Sequence, residues 1–344
     1  VIHAGIYYRP GSLKARLARE GNESMSRFCD AHSIPWRRCG KLIVAADEEE
    51  IPRLEALYAR GVENGLTLER MTPDEARKIE PHVRCAAAIH VPATGVVDFR
   101  QVCARMAEIV ASRGCDLLLG SRVLRIERGR ITTARGTMES GFTIACAGLQ
   151  GDRVARLGGV SPPARMVPFR GDYFTLAPRS ASLVKGLIYP LPDPAFPFLG
   201  VHLTRAVDDT VHAGPNAVLS LAREGYRKMD VSMRDLASTL LFPGFWRLAI
   251  RHGGAGLHEI ARSVSRRLFA RALQRLVPGI HEEDLHPAPA GIRAQAVRPS
   301  GDLVDDFLLV SEDRSLHVLN APSPAATASL EIGKMIAAQV PGIH

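Results

Sequence analysis

Apolar residues recur along the chain at two spacings, and the switches between them mark its elements. Leu13, Leu17, Met25 and Phe28, preceded by Ser12 as an N-cap, describe an amphipathic helix to about Ala31. The apolar run in Lys41-Leu-Ile-Val-Ala45 predicts a strand. A helix from about Glu48 to Asn64 follows, opening with acidic residues that suit the positive end of a helix. Thr72 before Pro73 caps another start, Ala86 to Val91 reads as a strand, Pro92 to Asp98 as a turn, and Phe99 to Arg113 as a long helix.

The pattern then shortens. Asp116–Gly120, Arg122–Ile126, Arg130–Thr133 and Phe142–Cys146 read as brief strands separated by glycine, a meander ending in a buried strand. That strand runs into Ala147-Gly148-Leu-Gln-Gly151-Asp152 and a helix from Arg153 to Leu157. A glycine turn between a buried strand and a helix is where α/β proteins hold nucleotides. Ordinary structural turns need glycine as well, so both readings stay open.

Strands at Arg170–Leu176, Leu187–Tyr189, Leu199–Leu203 and Thr210–Ala213, punctuated by Pro190, Pro192, Pro194 and Pro197, predict an antiparallel sheet in a second lobe. Helices fill Met233 to Val277, and strands return at Gly291–Val297 and Phe307–Val310. Near the end, the apolar run from His317 to Leu319 stops at Asn320-Ala-Pro-Ser-Pro324. A helical pattern with Ala326, Leu330, Gly333, Met335 and Ile336 follows. This predicts strand, tight turn and helix start, whose unpaired N–H groups would suit an electron-rich ligand. A purely structural turn is the alternative.

Composition changes little of this. The chain has 344 residues, 46% hydrophobic and 23% charged, enough for one large or two intertwined domains. Its 44 Lys+Arg against 36 Asp+Glu give a formal charge of +8, but the excess is local: Arg223 to Arg275 holds eleven basic and four acidic residues. Cys29, Cys39, Cys85, Cys103, Cys115 and Cys146 form no CxxC pair and have no metal-ligand spacing, so a reduced, metal-free, cytoplasmic protein is expected. No run approaches the ~20 apolar residues of a membrane span. The chain begins with Val1 in the middle of a motif, which reads as a piece of a longer protein.

Several stretches together resemble one family. They are Val1-Ile-His-Ala-Gly-Ile-Tyr-Tyr8, Cys39-Gly-Lys-Leu-Ile-Val44, Thr94-Gly-Val-Val-Asp98, Val167-Pro-Phe-Arg-Gly-Asp-Tyr173 and Phe196-Pro-Phe-Leu-Gly-Val-His202. Gly214-Pro-Asn-Ala-Val-Leu219, Arg293-Ala-Gln295, Leu303-Val-Asp-Asp-Phe307 and Asn320-Ala-Pro-Ser-Pro-Ala-Ala-Thr327 complete the set. The chain resembles the L-2-hydroxyglutarate oxidase/dehydrogenase family of the FAD-dependent, D-amino-acid-oxidase-like superfamily. The resemblance implies an α/β (α+β) fold: a Rossmann-like FAD-binding domain (1–35, 90–165, 288–344) interleaved with an antiparallel-sheet substrate domain (36–89, 166–287). It also implies a GxGxxG strand–turn–helix at the start. That unit, on the order of 30 residues, is not in this sequence, so the FAD-binding domain is expected to be incomplete.

The implied reaction is oxidation of L-2-hydroxyglutarate to 2-oxoglutarate, with electrons passing to quinone or oxygen. Alternatives are an amino-acid or secondary-amine oxidase on the same fold, and a truncated, cofactor-free remnant. No side chain accepts a hydride, whereas a flavin does. A base is needed for the hydroxyl proton; His202 is favoured and His3 is second, because imidazole titrates near neutrality. Each has the alternative of a structural histidine bonded to backbone. Arg170 and Arg293 are the candidate carboxylate forks, with Tyr189, Thr204 and Asn216 as further donors. Structural pairing is the alternative for both arginines.

For FAD the resemblance implies His3, Ala4 and Gly5 beside the ring, Val123 at the adenine, and Ala147 and Gly148 on the pyrophosphate or ribitol side. It places Asn320, Ala321, Pro322, Ser323, Pro324 and Ala325 at the flavin's N1/C2 edge. In the basic segment, Phe242, Phe245 and Trp246 stand among arginines. Peripheral contact of 223–277 with the inner face of the cell membrane is one reading, and a solvated helical face is the other. No nucleic-acid module accompanies the charge.

Overall fold

Ser12 accepts a hydrogen bond from the Ala15 N–H and so starts helix α1 (Leu13–Ala31), which buries Leu17, Met25 and Cys29. In the computed structural model, which describes residues 1–192 and 199–342, strands β1 (Trp36–Arg38) and β2 (Leu42–Ala45) come next. They are followed by α2 (Ile51–Glu63), β3 (Glu69–Met71), α3 (Pro73–Ile79), β4 (Ala87–His90), β5 (Gly95–Val97) and α4 (Phe99–Ser112). Thr72 and Glu75 close a reciprocal capping box at the start of α3.

The central part comprises β6 (Val123–Glu127), β7 (Arg130–Thr133), β8 (Gly136–Glu139), β9 (Thr143–Ala145), α5 (Gly151–Leu157) and β10 (Arg165–Leu176). Then come β11 (Leu187–Pro190), β12 (His202–Arg205), β13 (Val211–Gly214), β14 (Val218–Leu219), α6 (Met233–Leu240), α7 (Pro243–Val264) and α8 (Arg266–Gln274). The chain ends with β15 (Leu285–Val297), β16 (Leu308–Glu312), β17 (Ser315–Asn320) and α9 (Ser329–Ala337).

The dominant sheet has nine strands in the order β14-β10-β13-β12-β11-β2-β4-β3, with β15 along the other edge of β10. All its pairings are antiparallel except β11 with β2. Successive side chains of a strand point to opposite faces, and both faces here are apolar. Leu42, Val44, Ile188, Leu203 and Ala213 pack with Phe269 and Leu273 of α8 on one side. Ile43, Ala45, Leu187 and Tyr189 pack with Ala4, Ile6, Leu54 and Leu57 on the other. Continuous apolar runs in the sequence thus come from strands covered on both sides.

A second sheet joins β16, β17 and β9, the last two in parallel, and β6–β8 form a separate meander. Helix α1 packs against the chain entering α9, where a Cβ on Gly21 would lie 2.6 Å from Ala328 Cα, so only glycine permits the approach.

The structure departs from the sequence expectations in five places. Asp116–Gly120 is not a strand; Leu117, Leu118 and Leu119 are exposed, because no neighbouring strand pairs with them. The strand expected at Leu199–Leu203 is His202–Arg205, and Pro194, Pro197 and the Phe196-Pro-Phe198 part of its motif lie outside the described residues. The helix after Asn320 does not begin there: residues 321–322 have no regular structure, 323–328 are turns, and α9 begins at Ser329. Phe242 is buried against Val167, Leu248 and Val297 with Phe245 packed beside it, leaving Trp246 as the exposed member of that aromatic trio. The expected domain boundary at 287/288 falls inside β15, which pairs with β10 from end to end.

Candidate active site

Register places the site on one face of the large sheet. Ile43 pairs with Tyr189, Leu187 with Thr204, His202 with Gly214, and Phe169 with Arg293. Directly paired residues share a face and alternate residues along a strand do too. Lys41, Tyr189, Thr204, His202 and Arg293 therefore all project the same way. Tyr173, four residues on from Phe169, joins them, and its phenol feels the Arg293 charge.

His202 is the best-defined member. Its ring stacks on Tyr189, with centroids 3.9 Å apart and planes at 27°, and its Nδ1 lies 3.0 Å from the Gly200 carbonyl. A carbonyl accepts only, so Nδ1 carries the proton and Nε2 presents a lone pair. Burial holds the imidazole down to about 3, opposed by the Gly200 bond and assisted by the Arg293 and Lys41 charges. Tyr189 bonds the Thr204 hydroxyl, and burial pushes its phenol well up. Arg293 is lowered chiefly by burial, against the pull of Tyr173, Glu259 and Tyr189.

His3 reaches the same place from the N-terminal segment. Its backbone N–H donates to Thr327 Oγ1 at 3.1 Å, and Asn22 Nδ2 ties the His3 and Ala93 carbonyls at 3.2 and 2.9 Å. Burial first, then Lys41, holds its imidazole well below the ordinary value. Tyr8 bonds Ser323. Residues 1–8, 93–95 and 320–327 thus form one wall. Within it Gly5, at φ +103°, packs against Ala18.

Arg170 and Asn216 do not join this group. Arg170 is adjacent to Phe169 and so lies on the opposite face from Arg293. Its Nε is 3.1 Å from Asp172 Oδ1. Asn216 Oδ1 accepts from the Asp172 N–H at 2.7 Å, and its Nδ2 donates to Asp172 Oδ2 at 3.3 Å. The two arginines expected to flank one ligand are separated by the sheet, and Asn216 serves the Arg170–Asp172 pair. Sequence spacing did not reveal this because the strand register was not known.

Lys41 was missed. Its signal was available: a lone charge opening an otherwise apolar strand, in phase with Ile43. A cleft of about 660 Å³ is not this site. It lies on the other side of the sheet, lined by Val44, Arg53, Arg271, Arg275 and Leu276.

Asn320 Nδ2 donates to the Val304 and Asp306 carbonyls at 2.9 Å each, while its Oδ1, like Thr94 Oγ1 and the Tyr7 hydroxyl, is buried without a protein partner. Gly148, at φ +49°, has nothing within 4 Å of where a Cβ would be, and so offers open backbone at the end of β9. Unsatisfied buried polar atoms and bare backbone fit a polar cofactor resting there. Val123 opens β6 and pairs with Thr133.

Residues 1–339 match the family described as FAD dependent oxidoreductase. The chain is 45% identical over 339 residues to an L-2-hydroxyglutarate dehydrogenase of Indibacter alkaliphilus, covering 97% of this chain and 85% of that one. It is 44% identical to the Escherichia coli protein of the same name, covering 99% and 82%. Among solved structures, an FAD-bound L-alpha-glycerophosphate oxidase from Mycoplasma pneumoniae superposes with TM-score 0.77 at 18% identity, covering 97% of this chain and 81% of that one. That likeness concerns the fold.

Proposed function

Because the chain belongs to the FAD dependent oxidoreductase family, among relatives named L-2-hydroxyglutarate dehydrogenase, we propose that it oxidises L-2-hydroxyglutarate to 2-oxoglutarate. The observation that carries the mechanism is the shared face: a neutral histidine, its Nδ1–H on the Gly200 carbonyl, beside a half-buried arginine.

FAD, when bound, supplies the two-electron acceptor that takes the hydride from C2 of the hydroxy acid. His3, Ala4, Gly5, Val123, Ala147, Gly148 and Asn320 to Ala325 are the residues of this chain that would hold it. Arg293 pairs with a substrate carboxylate as a planar fork. His202 Nε2 takes the hydroxyl proton; the arriving dianion raises the basicity that burial and the neighbouring cations suppress in the free site. Its Nδ1–H stays on the Gly200 carbonyl and fixes the ring, and the Tyr189 face keeps water from one side of it. Thr204 holds the Tyr189 hydroxyl in place. His3 is the second candidate for the proton.

We assign electron delivery to membrane quinone. Supporting this, Ile250 and Val264 are 82% and 81% exposed on α7, the helix that carries Arg247, Arg251, Arg262 and Trp246, and Leu241 just before it is 80% exposed. An anionic bilayer takes such a mix. No helix among the described residues is long and apolar enough to cross a membrane. Reduction of a soluble quinone analogue, stimulated by anionic vesicles, tests this assignment; equal turnover with oxygen alone contradicts it. The substrate assignment is tested by quantifying 2-oxoglutarate formed per electron pair by the FAD-loaded protein, with a one-to-one ratio expected and no 2-oxoglutarate contradicting it.

A further inference from the structure

Lys41 is a cation that the reaction above leaves unused. Its residue is 2% exposed, and the four strand residues after it are all buried and apolar. Its Nζ lies 4.4 Å from the Tyr7 ring centroid and 5.1 Å from that of Tyr189. Aromatic faces attract an ammonium but do not neutralise it. Among the described residues no carboxylate pairs with it, and burial alone lowers its proton affinity, to about 7.

Other buried cations are treated differently. Arg223 is paired with Asp152, Arg170 with Asp172, and Lys14 with Asp305. A buried charge without a counter-ion is costly, and here the cost coincides with the active face. His3 and His202 both feel the Lys41 charge, and His202 also feels Arg293. The Tyr7 hydroxyl, beside Lys41, is likewise buried and unpartnered. The site thus holds two cations, and a substrate with two carboxylates needs two.

We propose that Lys41 binds the second carboxylate of the substrate, opposite the one held by Arg293, and selects dicarboxylate over monocarboxylate 2-hydroxy acids. This rests on the function proposed above. Its geometric content is specific: the ammonium is held between two tyrosine rings on the face of His202, and its counter-charge arrives with the ligand.

The test uses the FAD-loaded protein and two unreactive probes, glutarate and pentanoate, with dissociation constants from calorimetry. In Lys41→Met and Lys41→Gln the glutarate Kd should rise about 100-fold, the scale of losing one partner of a buried charge pair, while that of pentanoate changes less than about threefold. Lys41→Arg should recover most of the glutarate affinity. Met in place of an uncompensated buried charge is compatible with folding.

A wild-type measurement stands independently of the variants. Around Lys41, burial holds the imidazoles of His3 and His202 down and lowers the Val1 amino group to about 6, Cys39, Tyr7 and Tyr189 are pushed up, and Arg293 keeps its charge. Glutarate binding should therefore weaken between pH 6 and pH 9 as Lys41 deprotonates, and pentanoate binding should not. Neutral variants that bind glutarate within threefold of wild type, or glutarate binding independent of pH, would overturn the role of Lys41. Failure of the wild type to oxidise L-2-hydroxyglutarate would instead overturn the proposed function, so the two failures are distinguishable.

Discussion

His202 and Tyr189 lie face to face with centroids 3.9 Å apart, although thirteen positions separate them in the chain. The hairpin-like pairing of β11 with β12 and the parallel pairing of β11 with β2 bring both rings onto the face that also carries Lys41. Stacking and the Gly200 carbonyl together fix where the free imidazole nitrogen points, which a base requires before its basicity matters.

Replacing His202 by Gln should slow flavin reduction by L-2-hydroxyglutarate about 10²–10⁴-fold, the range for loss of a general base, with FAD content unchanged. Anaerobic stopped-flow absorbance measures it, and reduction at the wild-type rate removes His202 from the role.

The two arginines should separate cleanly. Arg293→Lys should raise KM for the dicarboxylate by about 10–100-fold, since a point charge replaces a bidentate fork. Arg170→Met, on the far side of the sheet, should leave KM within about threefold. It should instead lower the unfolding free energy by about 3–5 kcal/mol, because Asp172 loses its buried partner. Equal KM effects would contradict the face assignment.

Asp152 of α5 is buried against Arg223, whose Nη2 is 3.0 Å from Asp152 Oδ2. Although burial raises it, the Arg223 contacts prevail and its carboxyl sits below the ordinary value. The sign follows: a depressed folded-state value contributes stability above the unfolded value of about 3.9 and loses it as pH falls through the folded one. Asp152→Asn should cost about 3–5 kcal/mol at pH 7 and less as the pH falls below 4. Urea unfolding across that range checks it.

Gly148→Val should weaken FAD retention about tenfold, because it fills the open backbone at the end of β9 and strains a residue at φ +49°. Flavin fluorescence on dilution measures the release, and unchanged retention contradicts the placement.

Much of the architecture was legible because local rules agreed with the global fold. Ser12 and Thr72 cap helices where their side chains predicted, and the apolar run at Leu42–Ala45 is a doubly covered strand. Periodicity failed at Asp116–Gly120, where an apolar run found no strand to pair with. It failed again after Asn320, where the turns continue to Ala328 before a helix can start. In the site, chemistry and resemblance pointed to the two histidines and Arg293, which the fold places near one another. The separation of Arg170 from Arg293, and the inclusion of Lys41, depend on strand register, a long-range property that no local pattern carries.

This face is assigned to the oxidation of a hydroxy diacid. The most direct test is the flavin spectrum of the FAD-loaded protein mixed anaerobically with one equivalent of substrate. Full bleaching by L-2-hydroxyglutarate and none by glycine or sarcosine is expected; bleaching by an amine with the hydroxy acid inert would contradict the assignment.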